Sequence, residues 1–110
     1  MSVAISLIEV EITCPDRASA DAIARACVKA RLAACANIVP GVVSIFHWQG
    51  KLDSAEEVLL RLKSRATLFP VLCQIVTDLH PYDQPAIMAL EVRDAPDAVC
   101  DWILAETRDG

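Results

Sequence analysis

His80 stands at the mouth of a Pro-Tyr loop, and a neutral imidazole is the commonest transition-metal ligand, so it is the first candidate for metal chemistry. One ligand does not make a site. A second constellation, Trp48, Lys51, Glu57, Lys63 and Tyr82, combines an aromatic wall with one carboxylate and two amines. That set suits a cleft for a small polar ligand as well as it suits hairpin salt bridges over a packed Trp. Catalytic sets are absent from the sequence. Ser44, Ser54 and Ser64 have no Gly-x-Ser-x-Gly context, and His47 and His80 stand 33 residues apart with no paired acidic motif. The three Gly, Gly41, Gly50 and Gly110, are spaced too widely to build a P-loop or a GxGxxG turn. The chain therefore reads as a binding protein and not an enzyme.

Composition narrows the partners. The 110 residues are 55% hydrophobic and 23% charged, which excludes disorder and points to one globular domain spanning residues 1–110. Ten basic against fifteen acidic side chains leave a net charge of −5, too acidic a surface for nucleic-acid phosphates or anionic lipid. Cys14, Cys27, Cys35, Cys73 and Cys100 are odd in number and widely spaced, which suits reduced thiols used as small core hydrophobes. With no basic leader in Met1 to Ile8, the expected compartment is the cytoplasm. Leu32 to Gly50 runs 19 residues without a charge, near the length of a membrane span. Its Pro40, Gly41 and five β-branched residues favour a buried strand instead, so no membrane is expected.

These candidates need elements to position them. Val3, Ile5 and Leu7, then Ile8, Val10 and Ile12, alternate on successive faces, as in a strand covered on both sides or bulged near Leu7. Pro15 and Asp16 stop it and cap a helix whose Ala20, Ile23, Cys27 and Ala30 recur at helical spacing. The charge-free strand follows from about Ala36 to Lys51, with a turn near Asp53-Ser54 and a third strand over Val58, Leu60 and Leu62. Leu68, Leu72, Ile75 and Leu79 mark a second helix, with Thr67 as cap and Pro70 in its first turn. Ile87 to Val92 is a fourth strand, and Pro96 opens a last helix with Val99, Trp102 and Ile103 as its buried stripe. The order βαββαβ with a C-terminal helix is that of an α+β, ferredoxin-like antiparallel sheet.

The hairpin between the second and third strands is unusually long. At ~3.4 Å per residue it extends on the order of 35 to 50 Å, whereas a 14-residue helix covers ~21 Å. Val43, Ile45, Phe46, Trp48 and Leu52 would be left in water unless another subunit packs there. A turn at Asp53-Ser54 would also bring Lys51 and Glu57 close across the ladder.

Four segments carry a resemblance. They are Leu32-Ala33-Ala34-Cys35-Ala36-Asn37-Ile38-Val39-Pro40-Gly41, Ser44-Ile45-Phe46-His47-Trp48-Gln49-Gly50-Lys51, Glu57-Val58-Leu59-Leu60 and His80-Pro81-Tyr82-Asp83-Gln84-Pro85. In this order they closely resemble the CutA family of divalent-cation tolerance proteins, over about Val3 to Thr107. The resemblance implies a homotrimer joined through the extended hairpin, similar in architecture to PII signalling proteins, with copper or another divalent cation as ligand. Some members are assigned a copper site from a Cys late in the first strand and two successive His before the Pro-Tyr. The matching positions here are Ile12 and Leu79, which leaves His80, with Cys14 two residues beyond Ile12 as a substitute thiol. The family motif also marks Cys35 and Asn37, although the sequence places no cation beside Cys35 to form a thiolate. The alternative function is a PII-like signalling or scaffolding trimer that binds a small anionic ligand or a protein in its inter-subunit clefts, without a metal.

Overall fold

The computed structural model describes residues 5–109. The elements are β1 (Leu7–Cys14), α1 (Arg17–Lys29), β2 (Cys35–Trp48), β3 (Lys51–Arg65), α2 (Phe69–Leu79), β4 (Ile87–Val92) and α3 (Asp97–Glu106). The strands lie in the order β2-β3-β1-β4, every neighbour antiparallel, which is the split βαβ arrangement of a ferredoxin-like fold. Val3 lies outside the described residues. β1 itself pairs without interruption from Leu7 to Cys14, so it has no bulge near Leu7.

Local chemistry sets the boundaries. Asp16 caps α1, its carboxylate accepting the Ser19 N–H at 2.8 Å. The helix ends with Arg31 in the left-handed region (φ 57). The Leu32 N–H then reaches Cys27 O at 2.9 Å and the Arg31 N–H reaches Val28 O at 3.0 Å, closing the last turn and burying Leu32. Thr67 is not the cap of α2. It lies in a short 3-10 turn, Ala66–Leu68, and the helix starts after Leu68 with no side-chain cap and with Pro70 in its first turn.

The two sheet faces are covered differently. Ile8, Val10, Ile12 and Cys14 of β1 and Val58, Leu60 and Leu62 of β3 share one face with Ala20, Ile23 and Cys27 of α1 and Leu72 and Val76 of α2. On the other face α3 covers only the end where Leu7 pairs with Arg65, and both of these are buried there. Two-sided cover is thus what places Leu7 and Ile8 next to each other in one strand. α3 buries Ile103 alone of its expected stripe, while Val99 and Trp102 stay exposed, because the helix meets the sheet chiefly through its C-terminal turn. The middle of that face, with Glu9, Glu11 and Arg61, carries ion pairs in place of a helix.

The hairpin turns at Gln49-Gly50 and not at Asp53-Ser54. Gln49 (φ 51) and Gly50 (φ 78) both take the left-handed conformation of a two-residue I′ turn, whose twist matches the strands. Asp53 and Ser54 are strand residues opposite Phe46 and Ile45. A bulge at Pro40-Gly41 shifts the register by one residue, and Gly41 supplies the positive φ of 78° it needs. Beyond it the hairpin is a bare arm. The chain is 52 Å long against 25 and 23 Å across.

All five cysteines are free thiols. Burial pushes Cys14 and Cys27 up to about 11. The native chain therefore keeps two protons that the unfolded chain releases above pH ~9, and stability should be full below that value and fall as pH rises towards 11. Urea midpoints should decline across that window, and the decline should be shallower in Cys27→Ala. A midpoint that stays level there would contradict the burial of these thiols.

Candidate functional site

The structure distributes the candidate residues over three places. The first is the C-terminal end of β1, where Cys14, Glu57, His80 and Tyr82 converge. α2 delivers His80 as its C-cap residue, and the loop that follows meets the ends of β1 and β3 through Thr13 and Glu57. His80 Nε2–H donates to Thr13 O at 2.8 Å, and Nδ1 accepts the Tyr82 N–H at 3.1 Å. A carbonyl can only accept, so the proton sits on Nε2 and the one ring lone pair is used by the loop. His80 thus ties the Pro-Tyr loop to the end of β1, and its ring lies 4.9 Å from that of Tyr82. The Tyr82 hydroxyl donates to Glu57 Oε2 at 3.0 Å. Desolvation first, and then the Glu57 carboxylate it bonds, raise the Tyr82 phenol above its ordinary pKa.

Cys14 is fully buried at the same end, and after burial the carboxylates of Asp16 and Glu57 are the next causes of its pKa of about 11. A protonated buried thiol and an imidazole without a free lone pair do not fit a copper or other divalent ion within one protomer. Among the described residues no three His, Cys, Asp or Glu side chains are grouped as a metal would require.

The second place is the open face of the sheet. Cys35 lies directly opposite Lys63, and Lys63 Nζ donates to Asn37 Oδ1 at 2.7 Å. Cys35 Sγ points at the same oxygen from 3.8 Å. Lys63 is therefore the cation near Cys35 that the sequence did not place, and only the β2–β3 register reveals it.

The third place is the tip of the arm. Trp48 pairs with Lys51 across the turn, and both are exposed. Lys51 and Glu57 do not meet across the ladder. They lie six residues apart on the same strand, about 20 Å at strand rise, because the turn falls at Gln49-Gly50. The aromatic and charged set is thus divided, with Glu57 and Tyr82 at the base of the arm and Trp48 and Lys51 at its end. Sequence reasoning also missed Arg65. It is buried, and it donates to Leu104 O, Thr107 O, Thr107 Oγ1 and Asp109 Oδ1.

A ferredoxin-like chain with an overlong β2–β3 hairpin, a Pro-Tyr loop locked by a histidine and a charged tip defines a narrow class of small α+β proteins. Residues 8–106 match the CutA1 divalent ion tolerance protein family, and the chain belongs to it. The chain is 44% identical over 96 residues to the divalent-cation tolerance protein CutA of Thermus thermophilus, covering 87% of this chain and 93% of that one. It is 39% identical over 92 residues to protein CutA of Mus musculus, and spans about half of that relative's length (84% of this chain, 52% of the relative). Among solved structures, CutA1 from Oryza sativa superposes with a TM-score of 0.94 at 33% identity, covering 99% of this chain and 100% of the other. The Thermus thermophilus protein gives 0.91 at 42% identity, covering 93% and 99%. The family is named for tolerance of divalent ions and not for a catalytic activity. Similar proteins are described as chloroplastic in Arabidopsis thaliana and periplasmic in Archaeoglobus fulgidus. No helix among the described residues is long and apolar enough to cross a membrane.

Proposed function

We propose that this protein serves divalent-cation tolerance as a cytoplasmic homotrimer that binds its ligand and does not catalyse a reaction. The observation that supports this most is the arm. Val43, Ile45, Trp48 and Leu52 are all more than 60% exposed on it, although Phe46 is half-buried. Both β2 and β4 are free sheet edges. Three copies arranged in a ring cover apolar surface and edges together, whereas an isolated copy presents both to solvent.

In this reading the cation-related role belongs to the assembled trimer, since His80 and Cys14 do not form a copper centre on their own. A second function, a PII-like scaffold that takes a small anionic ligand in its inter-subunit clefts, draws support from Lys63. Lys63 is held by Asn37 and forms no ion pair among the described residues.

Light scattering and calorimetry on one preparation test this. The expected mass is that of three chains, and a mass of 11.9 kDa would refute the trimer. Copper and zinc titrations should give the same heats for the unmodified protein and His80→Ala. A stoichiometric transition lost in His80→Ala would put a metal on that imidazole and overturn this account of the site.

A further inference from the structure

A cavity of about 240 Å³ opens beside the C-terminal end of α1, bordered by Val28, Lys29, Arg31, Ala33, Ala34 and Glu106. Val28, Ala33 and Ala34 give it an apolar side, and Lys29, Arg31 and Glu106 a charged one. Arg31 has no local reason to be an arginine. Its φ of 57° is a conformation that Gly adopts without steric cost, and Gly is the usual residue at such a helix exit. Strained backbone of this kind persists where the surroundings impose it, and it gathers at ligand sites.

The helix end does not need these cations. Its last carbonyls are served by backbone groups, with Ala30 N–H donating to Ala26 O, Arg31 N–H to Val28 O, and the Leu32 and Ala33 N–H groups to Cys27 O. The Arg31 side chain is 61% exposed and reaches Glu106 Oε2 through Nη1, at 3.2 Å. That leaves the rest of its donor fork turned to the cavity's solvent. Lys29 is exposed and outside every ion pair among the described residues. Arg108 joins them, its N–H donating to Arg31 O at 2.9 Å and its side chain equally unpaired among the described residues. Asp109, the other carboxylate of this segment, is taken by Arg65 at 3.3 Å. Three cations thus stand against the one carboxylate of Glu106, in a chain whose net charge is −5.

We infer that this cavity binds a small phosphate monoester, its oxygens bridging the Lys29 ammonium and the open side of the Arg31 guanidinium while its carbon part rests on Val28, Ala33 and Ala34. A local excess of two positive charges matches a dianion, and a planar guanidinium fork suits phosphate geometry. The volume is below the roughly 300 to 1,000 Å³ of sites for drug-sized ligands, which limits the ester to a few carbons. The site lies within one chain, so it depends neither on the oligomer nor on the cation-related role proposed above. Glu106 competes with the ligand for Arg31.

Calorimetric titration with propyl phosphate, at about pH 8 where the ester is a dianion, tests the site. One site per chain is expected, with weaker binding of inorganic phosphate, which has no carbon part. Arg31→Gly keeps the helix exit, because Gly suits the positive φ, and should weaken binding about tenfold or more by removing a charge-assisted contact. Glu106→Gln should tighten binding, since it frees Nη1 and removes the carboxylate beside the anion. Arg17→Gln removes an unpaired cation at the other end of α1, about 18 Å away, and should leave the affinity unchanged. The absence of saturable heat, equal affinity for the two probes, or unchanged affinity in Arg31→Gly would overturn the site. So would an affinity in Glu106→Gln no higher than that of the unmodified protein, or a loss in Arg17→Gln equal to that in Arg31→Gly, which would mean diffuse attraction of anions.

Discussion

Ile45→Asp is expected to convert the proposed trimer into single folded chains. Ile45 is 71% exposed in the protomer and lies opposite Ser54 on the arm, with no core contact to lose. The protomer should therefore keep its far-ultraviolet circular dichroism. Between copies the balance is different, because a buried Ile contributes roughly 1.5 to 3 kcal/mol and an unpaired carboxylate in its place adds a desolvation cost. The change repeats at every interface, so the total is several times one substitution. Light scattering should fall from the mass of three chains towards 11.9 kDa. Ala105→Asp, on an exposed position of α3, serves as the control and should keep the unmodified mass. An Ile45→Asp protein that keeps the unmodified mass would remove the arm from the interface.

Much of this architecture is legible in the sequence because hydrophobic periodicity is a local signal. Ile8, Val10 and Ile12 on one face, and Ile23 with Cys27 at helical spacing, place β1 and α1 before any tertiary contact is known. Asp16 is recognised as a cap by residue type alone. The turn is misplaced because Gln is an uncommon residue at positive φ, while Asp53-Ser54 has the polar character of a loop. The four-residue displacement of the turn then decides whether Lys51 meets Glu57 within one chain. Cys35 and Lys63 are 28 positions apart and become neighbours only through that same pairing. The role of His80 is hidden for another reason: the Thr13 carbonyl and the Tyr82 N–H that occupy its ring are backbone groups, which no side-chain pattern reports.

Arg65 was invisible for the opposite reason, since an arginine at the end of an alternating strand is ordinarily solvated. Here it is 5% exposed and fixes the C-terminal segment to the sheet. Nη2 donates to Leu104 O at 2.6 Å and to Thr107 O at 3.0 Å, and Nε donates to Thr107 Oγ1 at 3.0 Å. These carbonyls belong to the last turn of α3 and its exit, where a helix leaves acceptors without internal partners. Arg65→Met keeps the apolar stem and removes every donor, stranding acceptors at about 1 to 3 kcal/mol each where they remain buried. The segment can escape part of that cost by fraying into water, so a net loss of about 2 to 4 kcal/mol is expected. Arg65→Lys should recover little, because one ammonium cannot reproduce the planar fork. Hydrogen exchange separates this from general destabilisation: amides of Val99 to Thr107 should lose protection first, while those of α1 and β1 follow only with global unfolding. Equal loss of protection in α1 and α3 would mean that Arg65 supports the sheet as a whole and does not act as the clasp of the last helix.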